Sequence, residues 1–512
     1  MGTNNNIDHV NKNNNCNVAS MYSCSQQSSI EDFYSGGSVL ITGATGFVGK
    51  ALVEKLLRSC QGIVNIYLLI RPKRGLDPDS RFRELMKNPV FNRLQKENPT
   101  VLSKVVALAG DVTEVDLGLS EKDQERLKNE VTVIFHSAAT VRFNERLKDA
   151  VRLNTQATHN VITFCRKINN IKAVVHVSTA YSNADKRVIE EEVYPPPADP
   201  EGIMHCCETL SEYTLDHLSQ VLLANKHPNT YTLTKAMAEW VVAQHAHHIP
   251  VALVRPSIVT AAWREPTPGW VDNISGITGI MMEIGRGTIR SIICDQKYIV
   301  DIIPVDIVVN TLIAAAWHAS SYRTNDVKVF NCTSGTQNGI RWDQLGVLTL
   351  RHALEHPTRH VQWYPGFTFR TNRVMHFIYE ILFHFVPAFV IDIILRAQGA
   401  KPIMMKIYHR FKSAAKAGEF FSLNEWKFCC DNQKSLSYDM AEYDRKEFET
   451  NVKKVQWDDY VKNYMIGIRK YVLKDSNSTL PSAKQKLKRL YWLHKMAQFL
   501  TIFLLIKVLC FR

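Results

Sequence analysis

The sequence predicts an α/β protein: a doubly wound parallel Rossmann-type sheet with a small mixed substrate segment, then a helical C-terminal domain and an apolar C-terminal tail. Three observations lead there. Apolar runs of four to eight residues recur between 38 and 254, helical patterns separate them, and the first run opens into a glycine-spaced turn. Unbroken apolar strands alternating with helices need cover on both faces, which is the arrangement of a parallel sheet.

The elements follow in order. Residues 1–36 are polar, with NNN at 4–6 and 13–15, and are expected to be disordered because they bury too little apolar surface to offset ordering entropy. No basic start followed by an apolar core is present, so no secretory leader is expected. SVLIT at 38–42 reads as a buried strand, and 48–60 as a helix with Val48, Leu52, Val53, Leu56 and Leu57 at helical spacing. Further strands are expected at 64–70, 104–110, 131–136, 171–178 and 251–254, with helices at 142–166 and 231–247 among the connections. Six strands over 38–255 make a nucleotide-binding domain, extended to 37–345 by a mixed segment that closes over the strand ends. From 356 to 475 the chain turns helical, aromatic and basic, and is expected to form a second domain. Residues 476–512 are a basic linker followed by a membrane anchor.

Composition narrows the function classes. The 512 residues are 45% apolar and 22% charged, which excludes a wholly disordered or fibrous chain. A mean hydropathy of −0.16 excludes a polytopic membrane protein but admits one or two membrane segments. Eleven cysteines without a CxxC pair give neither a disulfide framework nor a zinc pattern, so no metal is expected and a reducing compartment is. Sixty-two basic residues stand against 49 acidic ones. Seven of the basic residues lie between Lys484 and Arg512, with no acid among them and an apolar run beside them. That pattern selects membrane lipid as partner and speaks against nucleic acid.

The turn Thr42-Gly43-Ala44-Thr45-Gly46-Phe47-Val48-Gly49 has the spacing GxxGxxG. Gly43 permits the tight strand exit, Gly46 lets backbone approach a pyrophosphate, and Gly49 lets the helix pack closely. Free N–H groups at the helix start face the phosphates. Thr42, Gly43, Thr45, Gly46, Phe47 and Gly49 are therefore candidate cofactor contacts. The second strand ends in Arg71-Pro72-Lys73-Arg74 where an NAD site usually carries an acid. Arg71 and Arg74 would fork a ribose phosphate, so the expected cofactor is NADPH. Asp111 falls where the adenine would lie, and Ala138 and Ala139 where the cofactor backbone would.

Tyr231 and Lys235 are one helical turn apart. An ammonium beside a phenol is expected to lower the phenol pKa and make Tyr231 a proton donor and acceptor near neutrality. Lys235 can also hold the nicotinamide ribose. The strand ending His176-Val177-Ser178-Thr179-Ala180 offers a hydroxyl, Thr179 or Ser178, to polarise a carbonyl oxygen. Cys206 and Cys207, in the long insertion between Thr179 and Tyr231, lack any local mark of a lowered thiol pKa. With Pro195, Pro196 and Pro197, that insertion reads as a lid or acyl-binding wall.

This set resembles the extended short-chain dehydrogenase/reductase superfamily. TGATGFVGK, IRPKRG, GDV, HSAATVRF, LNTQAT, HVSTAY, YTLTKAMAE and RPSIV resemble the eukaryotic alcohol-forming fatty acyl-CoA reductases more closely, as do RVMHFIYEILFHFVPAFVIDIILR and KPIMMKIYHRF. The resemblance implies reduction of a long-chain acyl-CoA by two NADPH to a primary alcohol, with release of CoA. It implies that Asn154 supports the site, that Pro256 to Val259 pass beside the nicotinamide, and, by alignment with the hydroxyl before alanine, it favours Thr179 over Ser178. Its alternatives are a reductase or epimerase acting on another carbonyl substrate, and a non-catalytic NADP-binding scaffold. His376, Glu380, His384 and Asp392 form a polar stripe on an otherwise apolar helix that Pro387 should kink. The stripe reads as a wet or paired face of a protein-buried or interface-lying segment. The tail Trp492–Phe511 has 15 apolar residues in 20, a span's length. Basic residues before it are expected to keep the catalytic domain in the cytosol, and the membrane is expected to be that of the endoplasmic reticulum or the peroxisome.

Overall fold

The computed structural model describes residues 29–510 except 74, 225, 226 and 325. Seven parallel strands form the central sheet: β1 (Ser38–Thr42), β2 (Ile66–Ile70), β3 (Val105–Ala109), β4 (Val131–His136), β5 (Ala173–Val177), β6 (Val251–Pro256) and β7 (Lys328–Cys332). Their spatial order is β7-β6-β5-β4-β1-β2-β3. The order reverses between β1 and β4, so a crevice opens above their carboxyl ends. Odd residues such as Val39, Ile41, Val133 and Val175 face one apolar layer, which holds the helices Phe47–Ser59 and Val305–Ser321. Leu40, Ile134 and Val174 face the other layer, with Ala157–Cys165 and Thr230–His245.

Six of the strands lie where the apolar runs placed them. The seventh, β7, lies inside the segment expected only to close over the strand ends, and it extends the sheet beyond β6. Its fourth residue is Asn331, which is buried and donates to the carbonyls of Ile189 and Cys429. That polar residue breaks the apolar run that would announce a strand.

Two boundaries are corrected. Ile30–Tyr34, inside the stretch expected to be disordered, is a helix closed by a Ser29–Asp32 capping box. Ile30, Phe33 and Tyr34 are buried, the Ile30 N–H donates to Asp444 and the Tyr34 hydroxyl donates to the Ile313 carbonyl. Residues 1–28 of that stretch lie outside the described residues. The break expected near 356 is not a break in packing. Phe448, Val455, Tyr460 and Tyr464 share one apolar core with Val308, Trp270 and Phe330, and Lys427–Phe428 pairs with Val188–Ile189 of the insertion. The helical hairpin Arg373–Ala397 and Met404–Ser422 stands off this core with large apolar side chains exposed. The last helix, Leu480–Cys510, docks through Ala483 and Leu487 and exposes Trp492, Met496, Phe499 and Phe503 beyond them.

Candidate active site

The glycine turn joins β1 to the Phe47–Ser59 helix at the crevice. Gly43 has a φ of +77°, and a Cβ there would sit 2.6 Å from the Ala138 nitrogen. A Cβ on Gly49 would lie 2.4 Å from the Gly43 carbonyl oxygen. Both positions therefore exclude a side chain, one by conformation and contact, the other because the helix packs onto the turn itself. Thr42 Oγ1 accepts from the Ala138 N–H at 3.3 Å and meets His136 Nδ1 at 2.8 Å, which fixes β1 against the loop after β4. The Phe47 ring stacks on Trp270, with centroids 5.2 Å apart.

The end of β2 carries more positive charge than the arginine run alone. Arg81, on the Pro78–Met86 helix, donates to the Arg71 carbonyl at 2.5 Å and to Thr45 Oγ1 at 3.0 Å. Burial and then the Arg71 charge lower the Arg81 pKa, so the two guanidinium groups repel one another beside the glycine turn. Arg71 reaches Asp111 at 3.4 Å, while Asp111 also accepts from Thr113 N–H and Oγ1. Arg74 lies outside the described residues. Sequence reasoning missed Arg81, because nothing local ties it to a turn 36 residues earlier.

Above the ends of β5 and β6 the catalytic candidates converge. Asn229 caps the Thr230–His245 helix, so Tyr231 and Lys235 lie in its first turns. The Thr179 side chain stands beside the Tyr231 phenol and favours its ionised form, against the effect of burial. The Lys235 ammonium donates to the Val177 carbonyl at 2.8 Å, and burial lowers its pKa to about 8 against the Glu239 charge. The expected acidification of Tyr231 is corrected. Burial pushes the phenol up to about 12, because the Lys235 ammonium is spent on Val177 and not on the phenolic oxygen. Beneath Lys235, His136 and His176 face each other across β4 and β5 at 5.3 Å. Burial, and then the Lys235 charge, holds the His136 pKa down to about 3, so this floor is neutral.

Ser178 and Thr179 part here. The Ser178 hydroxyl donates to Glu239 at 2.5 Å and is held by that carboxylate. Glu239 is also gripped bidentately by Arg255, at 2.9 and 2.7 Å, and both side chains are buried. Arg255 donates further to the carbonyls of Glu190 and Glu192, tying the insertion to the sheet. The signal for this pair was an arginine ending an otherwise apolar strand, since buried charges need partners. Asn154 sits in a wide turn, Val151–Gln156. Its side chain accepts from the Thr140 N–H at 2.9 Å and donates to Thr234 at 2.9 Å, bracing the helix that carries Tyr231. The Pro256 carbonyl accepts from the Ala180 N–H at 2.9 Å, which sets β6 beside Thr179. Burial in an apolar cluster raises the Cys207 thiol to about 11.

An aromatic wall leads outward from the phenol. Tyr231 stacks on Phe143 at 5.8 Å, Phe143 meets Phe421 at 5.3 Å, and Phe421 meets Tyr181 at 5.1 Å. Phe421 belongs to the Met404–Ser422 helix, far away in sequence. Beside the wall lies a cleft of about 370 Å³ lined by Lys186, Arg187, Leu223, Phe420 and Trp426. The site thus joins a phosphate cradle, a hydroxyl pair able to bind a carbonyl oxygen, and an apolar approach with basic groups near its edge.

Residues 41–312 and 383–475 both match families described as Male sterility protein, the first an NAD-binding one. The chain is 40% identical over 463 residues to fatty acyl-CoA reductase 1 of Rattus norvegicus, covering 90% of each chain. It is 39% identical over 462 residues to the Homo sapiens protein of that name, again covering 90% of each. To fatty acyl-CoA reductase 2 of Bos taurus it is 36% identical over 467 residues, covering 91% of this chain and 90% of the other. Among solved structures, the terminal reductase domain of the myxalamid biosynthetic pathway superposes with a TM-score of 0.55 at 18% identity, covering 85% of this chain and 91% of that one. The reductase domain of a non-ribosomal peptide synthetase from Mycobacterium tuberculosis gives 0.54 at 18%, covering 84% and 91%. These two share the fold.

Proposed function

The chain belongs to the fatty acyl-CoA reductase family, and we propose that it reduces a long-chain fatty acyl-CoA through the aldehyde to a primary alcohol, with NADPH as reductant. The observation that carries this reading is the Tyr231–Thr179 hydroxyl pair at the inner end of an aromatic wall. A polar catalytic pair reached along apolar rings suits a carbonyl borne on a lipid chain. Lys186 and Arg187, at the cleft beside the wall, suit the phosphates of CoA.

The residues fit the dinucleotide. Gly43 and Gly49 let the turn close tightly on the loop after β4 and on the Phe47–Ser59 helix, so the N–H groups at that helix start would face a pyrophosphate, with Thr42, Thr45, Gly46, Phe47 and Ala138 in or against the turn and Asp111 and Pro256 as further contacts in this reading. NADPH, when bound, supplies the hydride. Thr179 and Tyr231 aim hydroxyls at the oxygen on which charge builds, the role of an oxyanion hole. Tyr231, protonated over the whole working pH range, gives its proton to that oxygen. The tetrahedral hemithioacetal then expels CoA as the thiol and leaves the aldehyde. Once Tyr231 has regained a proton from solvent, and with a second NADPH in place of the spent one to supply the hydride, the aldehyde is reduced to the alcohol at the same hydroxyls. Lys235 holds its ammonium against Val177, next to where a nicotinamide ribose would lie. Ser178 does not touch the reacting atoms in this scheme; it positions Glu239.

Residues 37–345 with the returning 425–475 make the catalytic body in this reading, and Trp492–Phe511 anchors it, cytosol-facing, to an endoplasmic reticulum or peroxisomal membrane. Incubation of the purified chain with NADPH and palmitoyl-CoA should give hexadecanol by gas chromatography. No oxidation of NADPH with any lipid thioester would overturn the reading.

Cofactor choice has its own test. Arg71→Ala and Arg81→Ala should each raise the KM for NADPH by roughly ten- to a hundredfold, the worth of one charged hydrogen bond, and leave that for NADH nearly unchanged. Equal losses with both cofactors would place the phosphate clamp elsewhere.

A further inference from the structure

The hairpin Arg373–Ala397 and Met404–Ser422 is folded inside out. On its first helix the polar stripe faces protein: His376 meets Ser291 Oγ at 2.9 Å, Glu380 accepts from Tyr408 at 2.6 Å and pairs with Lys412 at 2.8 Å, and His384 accepts from the Arg290 N–H at 2.9 Å. Asp392 caps the second helix by accepting from the N–H groups of Ile403, Met404 and Met405. The apolar side chains point outward instead, with Phe383 and Ile394 each 48% exposed. A wide turn at Ile381–Phe385 accommodates Pro387, whose ring would clash with the carbonyl four residues back. Helix Arg373–Ala397 has a mean hydropathy of 2.0 over its most apolar stretch, which is enough to enter lipid.

Both ends of the hairpin are fixed to one short strand. Thr368–Arg370, just before it, pairs with Ser291–Ile293, and Ser422, at its end, donates to the Ile293 carbonyl at 2.8 Å. The chain leaves the body and returns to the same place, so the first helix is not a single span. Between 396 and 416 stand six basic residues and no acidic one, all six exposed: Arg396, Lys401, Lys406, Arg410, Lys412 and Lys416. A hairpin driven tip-first through a bilayer would carry these into hydrocarbon at high cost. Lying in the interface, it would set all of them but Lys412, which Glu380 holds, among lipid phosphates. A second exposed apolar helix leaves the body nearby. Trp363 donates to His494 of the last helix, the adjacent Tyr364 carbonyl accepts from the Arg290 side chain, and the Arg290 amide holds His384.

We propose that this hairpin is a monotopic seat: it lies flat in one leaflet of an anionic bilayer, apolar face down and basic residues at the headgroups. The Met404–Ser422 helix then runs from the lipid surface to Phe421 in the aromatic wall, so the acyl chain reaches Tyr231 from the leaflet. That last step rests on the reductase reading; the seat does not.

The test uses the full chain, with the photocrosslinker p-benzoylphenylalanine in place of Phe383 or, in a second protein, of Ile394. Each is irradiated on vesicles of phosphatidylcholine and phosphatidylserine, without substrate. Lipid adducts are expected at both positions and not at a control probe replacing exposed Val347 on the catalytic body. In 0.5 M salt, or with Lys406→Glu and Arg410→Glu together, adducts at Ile394 should fall severalfold. Vesicle-bound chain with no lipid adduct at either position would overturn the seat, as would adducts to a second copy of the chain. Because no turnover is read, failure of the reductase reading would leave this result standing.

Discussion

Phenylalanine in place of Tyr231 is expected to lower kcat/KM for acyl-CoA reduction by about a thousandfold or more, the combined worth of a general acid and an oxyanion donor. The dissociation constant for NADPH should stay within about twofold, because the lost atom is a hydroxyl that serves the substrate oxygen. The fold should hold as well, since the ring and its stacking on Phe143 are retained. Turnover near that of the unaltered chain would remove the phenol from the mechanism. The pH profile separates the phenol from its neighbour. A phenol at about 12 is fully protonated at neutrality and contributes no alkaline limb near pH 8. Lys235, at about 8, loses its charge there. Its pKa is lowered, so the ammonium is present below about 8 and lost as the pH rises through it. If that charge supports hydride transfer, kcat/KM should fall above about pH 8, and Lys235→Arg should move the fall upward. A flat profile to pH 10 would leave the lysine only its hydrogen bond to Val177.

The parts of this site that were legible in sequence are those whose geometry is local. A glycine turn is a matter of three residues' conformations, and Tyr231 and Lys235 share a helix face because a turn repeats every 3.6 residues. What the sequence left open was tertiary. Ser178 and Thr179 are adjacent hydroxyls with equal chemistry; only the position of Glu239, on another element, separates them. Arg81 gains meaning from Thr45 across a crevice, and Phe421 from Phe143 across most of the chain. The direction of the Tyr231 pKa was misjudged for a related reason. Helical spacing brings the ammonium near, but the Val177 carbonyl decides where it points. β7 was hidden by a buried asparagine whose partners lie on two distant segments. The polar stripe on the hairpin was visible, yet which side met protein and which faced outward was not, because an inverted helix and an ordinary one have the same periodicity.

Arg255→Met should be the most destabilising single change outside the catalytic residues. Arg255 and Glu239 are buried with 0% and 1% side-chain exposure, so the variant leaves a carboxylate without its cation in a low-dielectric interior. Breaking such a pair costs about 3–5 kcal/mol, which in a chain of this size lowers the unfolding midpoint by about 3–5 °C. Arg146 and Glu212 make an equally short pair at the surface, and Arg146→Met should shift the midpoint by no more than a degree or two, since an exposed pair is worth at most about 1 kcal/mol. The double variant Arg255→Met with Glu239→Gln discriminates further. It removes the stranded charge and should recover part of the lost stability. Activity should stay low, because Ser178 and the carbonyls of Glu190 and Glu192 lose the group that ties strand, helix and insertion together. Thermal unfolding by circular dichroism and kcat/KM on the same proteins read the two effects separately. Full recovery of both would show that the pair only fills space; a single variant as stable as the parent would show that Glu239 finds another partner.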